Sequence, residues 1–266
     1  TDDVNAWSAR RIALGTAPDT LNKAFKLGKR LYTVLIKRSN DTIGKNPFDG
    51  ALAPRILGKP RNALRSDLVP KLNSICSMMP DSRFKRAVVL ALHTGMRIGE
   101  VCALRWCDVD FESGLITVRH SVAYAKGMGS FIKDTKTHDC RSIPIDPVGL
   151  LPFLKEMYEF DLGKMRLRGL VGSIEIGDCY ILSEPGASFS TTSYIRRAFK
   201  TFSETNCLMG TNDELITFHG LRHTFATQWI RQGGDIKALQ SILGHKDAMV
   251  TLNVYADIEP ISKIQN

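Results

Sequence analysis

Two arginines, two histidines and a late tyrosine occur in a fixed order along this chain. They lie in Thr94-Gly-Met-Arg97-Ile-Gly-Glu100, in His219-Gly-Leu-Arg222, in Leu243-Gly-His245, and at Tyr255. These are the parts needed to attack a phosphodiester without a metal ion. A phenol held by a helix acts as a nucleophile when positive charge meets the developing phosphorane and a base accepts the phenolic proton. Arg97 follows a glycine-bearing turn, and Glu100, one helical turn later on the same face, can fix its guanidinium from behind. The planar fork of an arginine donates in parallel to two phosphate oxygens. His219 and Arg222, three apart on a helix, can point at one phosphate together. Leu243-Gly244 reads as a helix C-terminus, which leaves His245 on the loop that follows. Lys136, in Asp134-Thr-Lys136-Thr-His-Asp, falls at an expected β-turn, where a flexible ammonium can protonate a leaving 5′-oxygen. Lys126 and Lys133 compete for that role.

Each piece also has a plainer reading. Arg97 and Glu100 make an ordinary ion pair on a helix surface. His219 and His223 have the i,i+4 spacing of a metal pair, but the glutamate of His-Glu-x-x-His is absent and no third ligand is evident. No metal site is therefore expected, and His223 takes a core or capping role. Tyr32, Tyr124, Tyr158, Tyr180 and Tyr194 sit in apolar helical or strand contexts and read as packing residues, so Tyr255 alone follows the arginine and histidine series.

Positioning these groups requires several elements. Residues 1–12 and a longer stretch from Pro18 read as helices, the second with an apolar stripe of Leu21, Phe25, Leu31, Val34 and Leu35 amid lysines and arginines. Prolines and glycine then break the pattern, and residues 55–65 read as a basic linker between a first region (1–54) and a second (66–266). In the second region a strongly helical run from Arg83 ends at Thr94-Gly95, and a short helix carries Arg97 to Leu104. Strand-like pieces begin at Leu115, Ser130 and Cys140, and from Leu150 onward the pattern is mostly helical.

Of the net charge of +9, residues 1–65 carry +8, which suggests a grip on a polyanion, most simply nucleic acid. Lys23, Lys26, Arg30, Lys59, Arg61 and Arg141 are the candidate DNA contacts. The six cysteines form no Cys-x-x-Cys pair and read as buried free thiols of a reducing cytoplasm. No apolar run is long enough for a membrane span, and no membrane partner is expected. The chain opens at Thr1 already in a helical pattern and without methionine, so a piece of a longer protein is expected.

The ordered set Thr-Gly-Met-Arg97-Ile-Gly-Glu, Thr-Lys136-Thr with Arg141-Ser-Ile-Pro-Ile, His219-Gly-Leu-Arg222-His-Thr-Phe-Ala-Thr, Leu-Gly-His245 and Tyr255 resembles the tyrosine recombinase (phage integrase) family. The wording is nearest to integrases of temperate phages and integrative or conjugative elements. Residues 1–54 resemble the latter part of that family's helical core-binding domain. The resemblance implies a mainly α fold with a small antiparallel β-sheet, the two domains forming a C-shaped clamp on duplex DNA. It implies Tyr255 as nucleophile, leaving a 3′-phosphotyrosyl link and a free 5′-hydroxyl. Arg97 and Arg222 would hold the non-bridging oxygens, His219 would be the general base, His245 a donor to the phosphate, and Lys136 the general acid. No cofactor, ATP or magnesium is implied. The implied partners are double-stranded DNA, a homo-tetramer on synapsed DNA joined by exchange of C-terminal tails, and accessory DNA-bending or excision factors, all in the bacterial cytoplasm. Two other readings stay open: a type IB topoisomerase-like relaxing enzyme, and a sequence-specific DNA-binding regulator whose reactive residues serve only as phosphate contacts.

Overall fold

The computed structural model describes residues 1–39, 44–54, 62–134 and 140–244. The chain is mainly helical with a small antiparallel sheet, and it divides into two compact units, Thr1–Pro60 and Arg61–Asn266.

In the first unit α1 (Asp2–Ala13) and α2 (Pro18–Arg38) pair around Val4, Leu21 and Phe25. Proline at the start of α2, Asp19 in its first turn and Lys37 and Arg38 in its last suit the geometry and dipole of a helix. The Phe25 ring lies 6.1 Å from Trp7 and edge-on to Phe48 at 5.7 Å. Asn46 holds the returning chain: its Nδ2 donates to Lys29 O at 2.9 Å and its Oδ1 accepts from Phe48 N at 3.0 Å. Only the half of the α2 stripe that Trp7 and Phe48 reach is buried; Leu31, Val34 and Leu35 are exposed. Lys23, Lys26 and Arg30 also lie exposed on α2, and Lys23 pairs with Asp19.

The second unit contains α3 (Val69–Met78), α4 (Arg83–Thr94), α5 (Ile98–Ala103), β1 (Val109–Asp110), β2 (Leu115–Val118), β3 (His120–Ala125), β4 (Gly129–Asp134), β5 (Arg141–Pro144), α6 (Leu150–Leu167), α7 (Thr192–Thr205), α8 (Phe218–Arg231) and α9 (Ile236–Leu243). Helix α4 is the axis of the core. Every residue from Arg86 to Leu92 is buried, as in a helix enclosed on all sides, and α3, α5, α6, α7 and α8 pack against it. Ser82 caps its start by accepting from Lys85 N at 3.2 Å. It stops at Gly95, where φ is +64° and a β-carbon would lie 2.5 Å from Phe225 and 2.7 Å from Leu243, so both backbone and space require glycine.

Strand β2 lies between β1 and β5 in an antiparallel sheet, with buried Ile116 opposite buried Ile143. Strands β3 and β4 form a separate hairpin. Strand β3 was not among the expected elements, because Val122 is the one fully buried residue of its six and no inward–outward alternation marks it. The expected linker also ends earlier than Arg65. Ala63 and Leu64 are buried, Leu64 N donates to Thr224 Oγ1 at 2.8 Å, and Leu64 bridges to Gly210. Tyr158 packs edge-on against Trp106 and Phe111 as a core aromatic should, whereas Tyr124 stands 71% exposed at the hairpin rather than packing. The expectation of buried thiols holds for Cys76, Cys102 and Cys179; Cys107, Cys140 and Cys207 are exposed.

A buried charge network locks α4 to α6. Arg86 donates to both Asp161 carboxylate oxygens (2.7 and 2.8 Å), to both of Asp81 (2.8 Å each) and to Ile181 O (2.9 Å), and Trp106 Nε1 donates to Asp161 at 3.0 Å. Removing one member of such a pair leaves an uncompensated charge in the interior. Asp161→Ala is expected to lower the unfolding free energy by about 3 kcal/mol, the lower end of the range because Asp81 still faces Arg86. A thermal melt should read that loss as a fall of roughly 6–12 °C.

Candidate active site

The turn after α4 presents Arg97 as the N-cap of α5, and Glu100 sits in that helix's first turn. Glu100 is buried and accepts from Arg97 N at 2.8 Å through one oxygen and from Arg97 Nη1 at 3.0 Å through the other. Helix α5 reaches this place because Gly99 has no side chain. A β-carbon there would stand 2.5 Å from Ser121 Oγ and 2.6 Å from Val122 O, so α5 lies directly on β3. The hairpin that runs out through β4 to Asp134 is thereby based beside Arg97 and Glu100.

His219 and Arg222 come from the first two turns of α8. Arg222 is 4% exposed; its Nη1 donates to Gly95 O at 2.7 Å and its Nη2 to Leu243 O at 2.6 Å. Arg97 Nη2 donates to Gly244 O at 3.1 Å. Helix α9 therefore enters the site by its C-terminal end, the negative end of its dipole, against guanidinium groups. Its start is fixed by Asp235, whose side chain accepts from Ala238 N at 2.7 Å, and its end by the left-handed Gly244, as Leu243-Gly244 predicts. The His219 ring meets the half-buried His223 ring edge-on at 4.7 Å between centroids.

Arg141 does not face outward as a DNA contact would. Its side chain is 8% exposed, its two terminal nitrogens donate to the Glu100 oxygens at 3.0 and 2.6 Å, and its Nε donates to Ile242 O at 2.6 Å. All three nitrogens are engaged within the chain, because β5 pairs with β2 and packs by α9, from where the Arg141 side chain reaches Glu100 of α5. Lys59, Arg61, Lys136, His245 and Tyr255 lie outside the described residues. Of the competitors of Lys136, Lys133 is exposed on β4 and Lys126 exposed in the hairpin turn.

The electrostatics are those of a cation cluster short of negative charge. Burial lowers the Arg222 guanidinium first, Arg97 lowers it further, Glu100 opposes, and Arg141 adds to the fall, to about 9. Burial alone would raise the Glu100 carboxyl, but hydrogen bonds and charge from Arg141, then from Arg97, outweigh it and hold Glu100 below its ordinary value. Among the described residues three guanidiniums thus share one carboxylate. His219 is exposed at one edge, yet partial desolvation and then Arg222, Arg97 and Arg196 push its pKa below the ordinary histidine value. The lowering favours the neutral imidazole, the form able to accept a proton; that capacity disappears as pH falls through the lowered value. An NMR titration of His219 is expected to show a midpoint below about 6.5, the ordinary histidine value.

Two contributors escaped the sequence reading. The carbonyls of Gly95, Ile242, Leu243 and Gly244 are main-chain atoms, for which no residue type is a signal. Arg196, on α7, acts on His219 through charge; the Arg196-Arg197 pair was visible but had no motif around it.

Residues 62–260 match the phage integrase family. The transposase of transposon Tn916 from Enterococcus faecalis is 27% identical over 96% of this chain. A XerC-like tyrosine recombinase from Caldanaerobacter subterraneus is 28% identical over 83% of it. The chain spans 62% and 58% of the length of these two relatives. The structure of the Tn1549 transposon integrase with a circular intermediate DNA matches 98% of this chain and 84% of its own, at 25% identity and a TM-score of 0.76. A lambda integrase dimer bound to a core site, 19% identical, shares the fold over 95% of this chain and 78% of its own with a TM-score of 0.64.

Proposed function

The chain belongs to the phage integrase family, and on that premise we propose that it is a site-specific DNA recombinase of a mobile element, cutting and rejoining strands through a tyrosyl intermediate. The observation that carries the reading is the cluster of Arg97, Arg141 and Arg222 around a single carboxylate, with His219 close enough for Arg222 and Arg97 to lower its pKa. A pentacoordinate phosphorane brings the negative charge that this cluster lacks, and guanidiniums already aimed and partly desolvated offset it without reorganisation. Arg97 and Arg222 would hold the non-bridging oxygens. His219, its neutral form favoured by the lowered pKa, would take the phenolic proton of Tyr255 as the Tyr255 oxygen attacks phosphorus and the 5′-oxygen leaves. Lys136 would protonate that 5′-oxygen, and His245 would donate to the phosphate. The phosphotyrosyl ester keeps the free energy of the broken bond, so a 5′-hydroxyl of another strand can reverse the step without ATP.

The partner in this reading is double-stranded DNA, recognised chiefly through phosphates by exposed cations such as Lys23, Lys26 and Arg30, so binding should weaken steeply with salt. Assembly as a synaptic tetramer, a four-way junction intermediate, exchange of C-terminal tails, accessory DNA-bending or excision factors and action in the bacterial cytoplasm belong to the same proposal. A library of nicked duplexes tests it. The chain is expected to become covalently trapped on a subset whose sequences share a core site. Tight binding with no adduct would sink the enzyme reading in favour of a regulator, and capture without sequence preference would point to a relaxing enzyme.

A further inference from the structure

The last three carbonyls before His245 each accept from a different arginine: Ile242 from Arg141, Leu243 from Arg222 and Gly244 from Arg97. Carbonyls at a helix end have no partner within the helix, so these side chains supply what the helix itself cannot. Two of the three, Arg97 and Arg222, are the groups assigned to the phosphate. Arg141 is different. Its two terminal nitrogens close on both oxygens of Glu100, its Nε reaches Ile242, and the side chain is only 8% exposed, so the guanidinium is turned into the chain rather than toward a substrate. Glu100 in turn holds Arg97 by main chain and side chain. One guanidinium thus ties the carboxylate that aims Arg97 to the end of the helix that leads into His245.

The geometry points to Arg141 as a positioning residue for strand cleavage: it sets Arg97, through Glu100, and the C-terminal end of α9, through Ile242, without touching DNA. This inference rests on the recombinase reading above. It also names what Glu100 depends on. Glu100 is buried and faced by Arg141, Arg97 and Arg222; of the groups that lower its pKa, Arg141 leads, ahead of Arg97. Without Arg141 its burial is opposed chiefly by Arg97, and its carboxyl should become harder to ionise.

The test compares the unmodified chain with Arg141→Met and Arg141→Lys on a nicked duplex that the unmodified chain captures. Single-turnover cleavage and equilibrium binding over a range of salt are both measured. Arg141→Met is expected to slow cleavage by about 100-fold, the order of loss that accompanies misplacement of a reacting group by about 1 Å. The salt slope of binding should stay unchanged, whereas a lost phosphate contact would reduce it by about one. Cleavage by Arg141→Met should recover as pH rises, as Glu100 regains its charge, and adding Glu100→Gln should erase that recovery. Arg141→Lys, which keeps the charge but cannot span three acceptors, should fall between the two. If Arg141→Met does not melt as a folded protein, Arg141→Lys decides by the same readouts. Cleavage at the unmodified rate, or a reduced salt slope with a matching loss of affinity, overturns the assignment. Failure of the unmodified chain to form any adduct overturns the recombinase reading instead.

Discussion

Arg222→Gln is expected to slow single-turnover cleavage of a nicked duplex by about 100- to 1000-fold, the usual consequence of removing one preorganised donor from a developing oxyanion. Arg222 is almost fully buried and its pKa is depressed to about 9, so it holds a charge that its surroundings do not balance. A phosphate that supplies the balance in the transition state gains more from it than from an exposed lysine in water. The same substitution should also destabilise the fold. Gly95 O and Leu243 O would each lose a donor inside the protein, at about 1–3 kcal/mol per unsatisfied group. A thermal melt separates the two effects, since cleavage is measured well below the transition. Less than a tenfold loss in a folded variant would remove Arg222 from the role of phosphate donor.

Tyr255→Phe should abolish the covalent adduct altogether while leaving duplex affinity near that of the unmodified chain. Phenylalanine keeps the ring and loses only the oxygen that would bond to phosphorus, and no second-best nucleophile follows from the order of groups along the chain. Denaturing electrophoresis of chain and labelled nicked duplex reads the adduct, and anisotropy reads the binding. An adduct that survives in Tyr255→Phe would show that another side chain attacks, and exposed Tyr124 would be the first to replace.

Much of the second unit could be read in advance because its signals are local. Thr94-Gly95 ends α4, Leu243-Gly244 ends α9, and Glu100 lies where helical spacing puts it, behind Arg97. Strand β3 was not legible, since a two-stranded hairpin with one buried residue leaves no period in the sequence. Nor was the inward turn of Arg141. An arginine beside a strand start looks like a surface cation until β5 is paired with β2 and the buried carboxylate of Glu100 is placed across from it. Leu31, Val34 and Leu35 show the converse limit: helical periodicity finds an apolar stripe but does not say how much of it the chain itself covers.

The seats of the three arginines on the α4 and α9 termini are peptide oxygens, at Gly95, Ile242, Leu243 and Gly244. Mutation changes side chains and leaves such oxygens where the backbone puts them. Exchange of Ile242 or Leu243 for another apolar residue would therefore leave these carbonyl seats in place, whereas the arginines and Glu100 act through their side chains and admit no such exchange. A lineage can then replace most of its sequence and still carry the same reactive centre.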